Sequence, residues 1–241
     1  MDLVNIIVQA RMMSVRLPGK MMLDLNGEPI LQRILTRLTQ CNFVNNIVLA
    51  IPDNTIDNIL SDVAGKVSGV KVVRGSEENL IERFQKANEL FPSQFVIRFP
   101  GDNVFPDPKI LEQLIKFHIE KNPKGFSSNI ASVLETNIID GVGGEMFSSE
   151  ILKNLSPSYA SRDQKEHLHL NFYNYRTREV VNPSVKVDTP TPSPFYARPE
   201  FALDINTIDQ YPLIRDIYGS VCKNNPYYTT ADIIQYLDNR D

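Results

Sequence analysis

Apolar and polar residues are distributed along the first half of the chain in a pattern typical of alternating strands and helices. Apolar runs bounded by turn residues predict four strands, in the run from Ile6 and at Ile47–Ile51, Val70–Val73 and Phe95–Phe99. Apolar residues at helical spacing predict helices at Pro29–Gln40, at Thr55–Val67, after Ser76 as an N-cap, and at Asp107–Glu120. Because strands that alternate with helices at these spacings need right-handed crossovers, the pattern predicts an α/β fold of three layers around a mostly parallel central sheet.

The second half of the chain is less regular and predicts shorter elements. Strand-like stretches lie at Phe126–Val133, Gly144–Phe147, Val180–Val187 and Phe195–Ala202. Helical stretches lie at Ser149–Leu155, Asp163–Tyr173 and Asp209–Val221 and after Thr229, with capping boxes expected at Thr207–Gln210 and Thr229–Asp232. No internal repeat divides the chain, so we expect a single domain over residues 1–241, with a β-containing insert at about 133–199 that serves as a substrate lobe or a dimer arm.

Composition narrows the classes of function. The chain has 241 residues and a formal net charge of −4, with no block of Lys and Arg, which argues against nucleic-acid binding. Cys41 and Cys222 are the only cysteines and form no CxxC motif, so we expect no disulfide framework, no zinc site and a cytoplasmic location. No stretch approaches the roughly 20 apolar residues of a membrane-spanning helix, and the N-terminal apolar run is too short for a signal peptide.

The first candidate functional residues follow the first predicted strand, where a basic loop contains Arg11, Arg16 and Lys20. Open parallel sheets bind ligands beyond the carboxyl ends of their strands, so this loop could hold a polyanion. Asp102 follows the fourth strand, and Asp204 follows another short apolar run. Two carboxylates that face three cations suggest Mg²⁺ bridged to a phosphate. Taken singly, each of these residues is more simply explained as part of a surface loop, a turn or a helix start.

Familiar nucleotide and hydrolase motifs do not occur in the sequence. The chain has no GxGxxG and no GxSxG, and the segment around Lys20 is not a Walker P-loop, because Ser14 and Met21 stand where that motif needs Gly and Ser or Thr. His167 and His169 would diverge on a helix, which argues against a two-histidine metal site.

Several motifs together resemble the cytidylyltransferases that make CMP-activated sugars. The segment Ile6–Lys20 reads IIVQARMMSVRLPGK and is similar to the opening signature of that group, roughly IIxARxGSxRLPGK. The likeness continues in family order at Val72–Ala87, Arg98–Pro108, Ile139–Ser148, Lys165–His167 and Phe201–Tyr218. The chain most resembles the family of the spore coat polysaccharide biosynthesis protein F type, which is related to the CMP-KDO and acylneuraminate cytidylyltransferases.

This resemblance implies a GT-A-like nucleotidyltransferase fold, a homodimer, and transfer of CMP from CTP to an acidic sugar with release of pyrophosphate, for surface glycan synthesis. The resemblance also implies that Arg11, Arg16 and Lys20 have catalytic roles and bind the triphosphate. Nucleotide contacts are expected from Ala10, Arg11, Ser14, Arg16, Lys20, Arg74, Gly75, Ser76 and Asp102. Sugar contacts are expected from Asp140, Glu145 and His167, and Mg²⁺ ligation from Asp102 and Asp204.

Two departures from the family pattern keep other functions open. Met13 stands where the signature has Gly, and Gly143 stands where the family often has an acidic residue two positions before Glu145. Glycine accepts a positive φ and lets the backbone approach a phosphate, which methionine does less readily. A non-catalytic nucleotide-binding relative is therefore the second hypothesis. A glycosyltransferase of the same fold is the third and ranks last, because the residues after Asp102 do not complete a DxD motif.

Overall fold

The computed structural model describes residues 3–130, 134 and 136–240, and within them the chain forms one large sheet and one small hairpin. The strands are β1 Val4–Gln9, β2 Asn46–Pro52, β3 Val70–Gly75, β4 Phe95–Pro100, β5 Phe126–Ser128, β6 Glu145–Ser148, β7 Tyr173–Asn174, β8 Glu179–Val180 and β9 Val187–Asp188. The helices are α1 Ile30–Leu38, α2 Asn58–Ala64, α3 Leu80–Leu90, α4 Pro108–Lys121, α5 Ser149–Asn154, α6 Arg162–Glu166, α7 Tyr211–Ile217 and α8 Thr230–Asp238. Short 3₁₀ turns lie at Lys20–Met22, Leu168–Asn171, Pro194–Tyr196 and Ile208–Gln210, and a π-helical turn at Tyr218–Cys222 continues α7.

The central sheet contains seven strands in the order β3-β2-β1-β4-β6-β5-β9. β1 pairs in parallel with β2 on one side and with β4 on the other, and β3 extends this parallel part, which confirms the four predicted strands. β6 runs antiparallel between β4 and β5, and β9 adds a parallel edge. The carboxyl ends of β1 and β4 lie side by side, because Gln9 is paired with Pro100.

Side chains of the sheet alternate between two apolar layers, as the period of a strand requires. In β1, Ile6 and Val8 join a large core that includes residues of α1, α2, α4, α7 and α8. Ile7 points to the opposite face and joins a second core with Phe84 of α3 and Phe147 of β6. Helices therefore cover both faces of the sheet, and the predicted three-layer α/β fold is confirmed.

The start of α3 differs from the prediction. Asn79, rather than Ser76, is the N-cap, because the Asn79 side chain accepts a hydrogen bond from the Glu82 N–H at 3.4 Å. The Ser76 hydroxyl instead accepts from the Asn79 N–H at 3.1 Å. Ser76 thus fixes the turn before the helix and leaves the capping of the first helical turn to the longer Asn79 side chain.

Irregular segments replace two elements predicted in the second half. The helix predicted at Asp163–Tyr173 ends at Glu166, because His167 has an extended backbone with φ −124° and ψ 96°. Tyr173 then enters the β7–β8 hairpin. Of the stretch predicted as strand-like at Val180–Val187, only the two ends lie in strands, and a turn closed by a hydrogen bond from the residue 185 N–H to the residue 182 carbonyl separates them.

Two other strand predictions are shortened. The strand predicted at Phe126–Val133 ends at Ser128, and residues 131–133 lie outside the described residues. The next residue, Asn129, turns its side chain onto the backbone before β6 and accepts from the Gly144 N–H at 2.8 Å. The region Phe195–Ala202 contains part of a 3₁₀ turn and two isolated bridges instead of a continuous strand.

Helix starts in the structure agree with the capping boxes predicted at Thr207–Gln210 and Thr229–Asp232. The cap of α4 has a second role. Asp107 accepts from the Lys109 N–H at 2.9 Å through Oδ1, and its Oδ2 accepts from the Thr230 N–H at 2.7 Å. One buried carboxylate therefore fixes the starts of both α4 and α8.

None of the helices in the described ranges combines the length and the apolar character needed to cross a lipid bilayer. The predicted insert region contributes β6 and β9 to the central sheet and also contains the β7–β8 hairpin. A role for residues 133–199 as a substrate lobe or a dimer arm stays a prediction.

Replacing Asp107 with alanine should lower the free energy of unfolding by about 2–4 kcal/mol, because it removes a helix cap and leaves the buried Thr230 N–H without an acceptor. Denaturant unfolding followed by circular dichroism measures this loss. Ser161→Ala is the matched control, since Ser161 caps the exposed start of α6 and water can replace its oxygen there. Equal losses in the two variants would contradict the double role of Asp107.

Candidate active site

An open cleft of about 480 Å³ lies beyond the carboxyl ends of β1 and β4. Its walls come from the loop after β1, the start of α3, the turn after β4, and α6 with the residues that follow it. The lining residues are Gln9, Ala10, Arg11, Ser14, Val15, Arg16, Lys20, Met21, Glu77, Leu80, Arg83, Arg98, Gly101, Asp102, Lys165, Glu166, His167 and Arg176. The cleft therefore occupies the edge at which open parallel sheets bind ligands.

The loop after β1 brings five of the predicted nucleotide-binding residues into this cleft. They are Ala10, Arg11, Ser14, Arg16 and Lys20. The loop folds back on itself because the Gly19 N–H donates to the Met12 carbonyl at 2.8 Å, with Gly19 at a φ of 74°. The Met12 N–H donates to Asp57 Oδ1 at 2.6 Å, so a buried carboxylate before α2 anchors the loop. The sequence pattern missed Asp57, because its role depends on a contact between residues 45 positions apart.

Met13 does not take the left-handed backbone conformation that would favour glycine. The non-glycine residues with a positive φ, within the described ranges, are Asn26, Phe43, Leu134, Asn137 and Arg178. The Met13 residue is 52% exposed, and it does not line the cleft. The loop therefore accommodates methionine at this position without backbone strain.

Lys20 connects the basic loop to two other parts of the chain. Its ammonium lies 2.9 Å from Asp102 Oδ2 and donates to the Ile205 carbonyl at 2.8 Å. Lys20 is only 8% exposed, so these two oxygens compensate for the removal of its charge from water. The predicted partnership between the basic loop and the Asp102 carboxylate is thus a direct contact.

The two arginines of the loop also contact other segments. Arg11 Nη2 lies 2.9 Å from Glu166 Oε1, which ties the loop to α6 across the cleft. Arg16 donates to the side-chain oxygen of Asn206. Because the ion pair of Arg11 is about one third exposed on both sides, it is a weak contact that an anionic ligand can replace.

The carboxylates of Asp102, Asp140 and Asp204 form a cluster. An isolated backbone bridge pairs Asp204 with Asn103, the residue after Asp102, and a second bridge pairs Asp140 with Ala202. Burial, together with the charges of Asp140 and Asp102, raises the pKa of Asp204 to about 6. Burial and the Asp102 charge also raise the pKa of Asp140. Asp204 accepts hydrogen bonds from the side-chain amides of Gln210, at 3.2 Å, and Asn206. The cluster therefore holds mutually repelling negative charges.

The carboxylate cluster suits a cation that is shared with a substrate. In the part of the chain that the structure describes, no three His, Cys, Asp or Glu side chains are arranged to bind a metal by themselves. Mg²⁺ is commonly bound by one or two carboxylates together with phosphate oxygens and water, so the protein needs to supply fewer than three ligands. A cation beside Asp102 and Asp204 would also relieve the repulsion that raises the pKa of Asp204.

The three residues predicted near the base and ribose are not brought into the cleft. Arg74 donates to the Asn54 carbonyl at 3.3 Å and to Ser61 Oγ at 2.8 Å, so its guanidinium faces α2. Gly75 and Ser76 do not line the cleft either. The residues of this region that do line it are Glu77, Leu80 and Arg83. The cleft at this strand end is therefore lined by residues further along the chain than the three that the resemblance implied.

Of the three predicted sugar-binding residues, His167 lies in the cleft wall, whereas Asp140 and Glu145 do not line the cleft. Glu145 is completely buried. Its Oε2 lies 2.8 Å from Arg98 Nη1, and its Oε1 accepts from the Tyr175 hydroxyl. Glu145 therefore positions Arg98, which does reach the cleft and which the sequence pattern missed inside an apolar strand.

The absence of an acidic residue at Gly143 has a steric explanation. A Cβ atom there would lie 2.4 Å from Asn129 Oδ1 and 2.5 Å from the Asn129 carbonyl oxygen. The Gly143 carbonyl accepts from the Asn103 side chain at 2.9 Å, which fixes the backbone in place. No side chain fits at this position in the present backbone.

The mostly parallel sheet thus places a basic loop and a carboxylate at adjacent strand ends, an arrangement that suits the phosphates of a nucleotide. The sequence model of the cytidylyltransferase family matches residues 5–228, and the chain belongs to this family of nucleotidyltransferase enzymes.

Individual relatives agree with this family. The chain is 32% identical over 241 aligned residues to the spore coat polysaccharide biosynthesis protein SpsF of Bacillus subtilis, with 96% of this chain and 92% of the relative covered. It is 25% identical over 198 residues to the 8-amino-3,8-dideoxy-manno-octulosonate cytidylyltransferase of Shewanella halifaxensis, with 76% and 78% covered. A solved cytidylyltransferase structure from Leptospira borgpetersenii superposes with a TM-score of 0.85 at 25% identity, over 98% of this chain and 94% of the other.

The carboxylate cluster should make the stability of the metal-free protein depend on pH. Because the pKa of Asp204 is raised from 3.8 to about 6 on folding, the folded state binds this proton more tightly than the unfolded chain does. The free energy of unfolding should therefore decrease as the pH rises from about 4 to about 7. Urea unfolding over this range measures the decrease, and Asp204→Asn should reduce it. An unchanged profile in that variant would contradict the assignment.

Proposed function

We propose that this protein is a Mg²⁺-dependent cytidylyltransferase that transfers CMP from CTP to an acidic sugar, releases pyrophosphate, and serves surface glycan synthesis. The observation that carries the proposal is the cleft in which Arg11, Arg16 and Lys20 share one strand edge with Asp102. Membership of the cytidylyltransferase family supports CTP as the nucleotide. Two relatives, a polysaccharide biosynthesis protein and an octulosonate cytidylyltransferase, support an acidic sugar and a glycan product.

In the proposed reaction a hydroxyl oxygen of the sugar forms a bond to the α-phosphorus of CTP, and the hydroxyl proton passes to the solvent. The bond from that phosphorus to the bridging oxygen breaks, and pyrophosphate leaves with the electron pair. Phosphoryl-type transfers of this kind depend mainly on positioning and on neutralisation of charge. Arg11, Arg16 and Lys20 would supply that charge to the triphosphate from one loop, whose shape is fixed by Asp57.

Arg11 and Lys20 would act differently on the triphosphate. Lys20 is buried and held by Asp102 and Ile205, so its position is set before the nucleotide binds. Arg11 is held by Glu166 in a contact that is about one third exposed, so a phosphate oxygen can take its place. In this proposal the triphosphate is bound by one cation of fixed position, Lys20, and by one that exchanges its partner, Arg11.

Asp102 and Asp204 are the residues that would hold Mg²⁺ in this proposal. Once bound, the ion would neutralise phosphate charge and help to orient the triphosphate. The chain's own part is to keep both carboxylates ionised and close together, which Lys20 and the amides of Asn206 and Gln210 support by hydrogen bonds.

The acidic sugar would bind at the wall formed by α6 and the residues after it. Lys165, His167 and Arg176 line this wall, and Arg98 forms part of the floor. Cationic side chains at this position suit a carboxylate, because charge-assisted hydrogen bonds to carboxylates are the stronger ones. Burial lowers the pKa of His167, which favours its neutral form as a hydrogen-bonding group for sugar hydroxyls. The homodimer and the cytoplasmic location stay predictions.

The proposal is tested by an assay of pyrophosphate release with CTP, UTP, GTP or ATP and a panel of ulosonic acids. We expect turnover with CTP, and Lys20→Met should lower kcat/KM by at least about 100-fold, because it removes a fixed charge from the transition state. Lys71→Met is the matched control, since Lys71 is exposed in the edge strand β3. Calorimetric binding of CTP without turnover on any sugar would favour a non-catalytic nucleotide-binding protein instead.

The metal assignment is tested by thermal unfolding with CTP and MgCl₂ at pH 8. Together they should raise Tm by about 5–10 °C at concentrations about 100-fold above Kd, because ligands that bind the folded state stabilise it. The part of the shift that requires MgCl₂ should be lost in Asp102→Asn and Asp204→Asn. Asp62→Asn, at an exposed position of α2, should keep it. An undiminished shift in the first two variants would contradict the assignment.

A further inference from the structure

Arg83 is a buried arginine that lines the cleft. It belongs to α3, on the side of the helix that packs against the sheet, and the residue is 5% exposed. Its stem crosses the end of β3, since a Cβ atom on Gly75 would lie 3.4 Å from both Cα and Cγ of Arg83. The Arg83 side chain therefore packs beside the end of β3.

The Arg83 guanidinium lacks the partners that a buried charge usually has. Its Nε and Nη1 atoms are buried and have no hydrogen-bond acceptor among the described residues. The two other buried arginines of the described chain are held by oxygens, Arg98 by the Glu145 carboxylate at 2.8 Å and Arg37 by carbonyls that include that of Pro226 at 3.1 Å. A buried charge without a partner is unfavourable for folding, so a purely structural role does not explain Arg83.

Two acidic side chains act electrostatically on Arg83, and both are engaged elsewhere. Asp57 accepts from the Met12 N–H, and Glu77 accepts from the Asn54 side chain at 3.2 Å. Burial and the neighbouring charge of Arg11 lower the pKa of Arg83 to about 10, while Asp57 and Glu77 oppose this shift. Arg83 therefore remains a cation at neutral pH, beside a second cation that also lines the cleft.

We propose that Arg83 is a further substrate-binding residue, whose guanidinium binds an anionic oxygen of the molecule held in the cleft. The planar fork of a guanidinium matches the oxygens of a phosphate or a carboxylate, which a lysine at the same place matches less well. If the proposed function holds, on which the identity of the ligand rests, two groups have this chemistry. They are the triphosphate of CTP and the carboxylate of the acidic sugar.

The test compares Arg83→Met and Arg83→Lys with the wild type and with Lys86→Met, which removes an exposed charge from the same helix. Thermal unfolding of the ligand-free proteins is measured first. Arg83→Met should unfold at the same temperature as the wild type or at a higher one, because it removes an unpartnered buried charge and keeps an apolar stem. Lys86→Met should behave as the wild type in every measurement.

Substrate affinity is measured by calorimetry with CTP and with inorganic pyrophosphate, and by KM for the sugar in the pyrophosphate-release assay. Arg83→Met should weaken the binding either of CTP and pyrophosphate or of the sugar by about 10- to 100-fold, the range expected for a lost charge-assisted hydrogen bond. Arg83→Lys should recover part of the lost affinity. Weaker binding of CTP and pyrophosphate identifies the phosphates as the ligand. A raised sugar KM with unchanged CTP affinity identifies the carboxylate.

A lowered unfolding temperature of Arg83→Met with unchanged affinities for CTP, pyrophosphate and sugar would overturn the proposal and make Arg83 a structural residue. Absence of turnover in the wild type would instead count against the proposed function. In that case sugar affinity is measured by calorimetry instead of KM, and equal affinities for CTP, pyrophosphate and sugar in the wild type and Arg83→Met overturn the role of Arg83.

Discussion

The contact of the Lys20 ammonium with Asp102 and the Ile205 carbonyl is the interaction on which the site depends. It joins parts of the chain separated by 82 and 185 residues. A buried ammonium needs oxygen acceptors, so the turn after β4 and the segment after Leu203 must both meet the basic loop for Lys20 to be buried without a large cost. The arrangement of β1 beside β4 makes this possible, because it puts the loop and the turn at the same edge of the sheet.

Elements with a strong apolar period could be predicted from the sequence alone. The four parallel strands and the helices between them follow from short apolar runs and helical spacing, and these local patterns correspond to buried faces in both cores. The position of the basic loop at a strand end follows in the same way. The function of this loop was suggested by the motif from Ile6 to Lys20, which resembles that of cytidylyltransferases. The chain's membership of the cytidylyltransferase family is confirmed.

Residues whose role depends on a distant partner could not be predicted in this way. Asp57 reads as a turn residue, yet its carboxylate anchors the Met12 backbone. Arg98 and Arg83 lie inside apolar patterns. A charged residue interrupts such a pattern, but the pattern does not predict which groups its side chain contacts. The region from 160 to 200 was mispredicted in part because its backbone follows turns and side-chain contacts rather than a regular period.

The ion pair between Arg11 and Glu166 has a thermodynamic consequence for the cleft. The two residues lie 155 positions apart, on opposite walls. An anion that takes the Nη2 position of Arg11 displaces Glu166, so the docking of α6 and the occupancy of the basic loop are linked equilibria. The coupling is reciprocal. The factor by which the docked Glu166 lowers the affinity of the loop for the anion equals the factor by which the bound anion lowers the docking equilibrium constant of α6. The affinity of the basic loop for its ligand is thus set in part by how firmly α6 is docked.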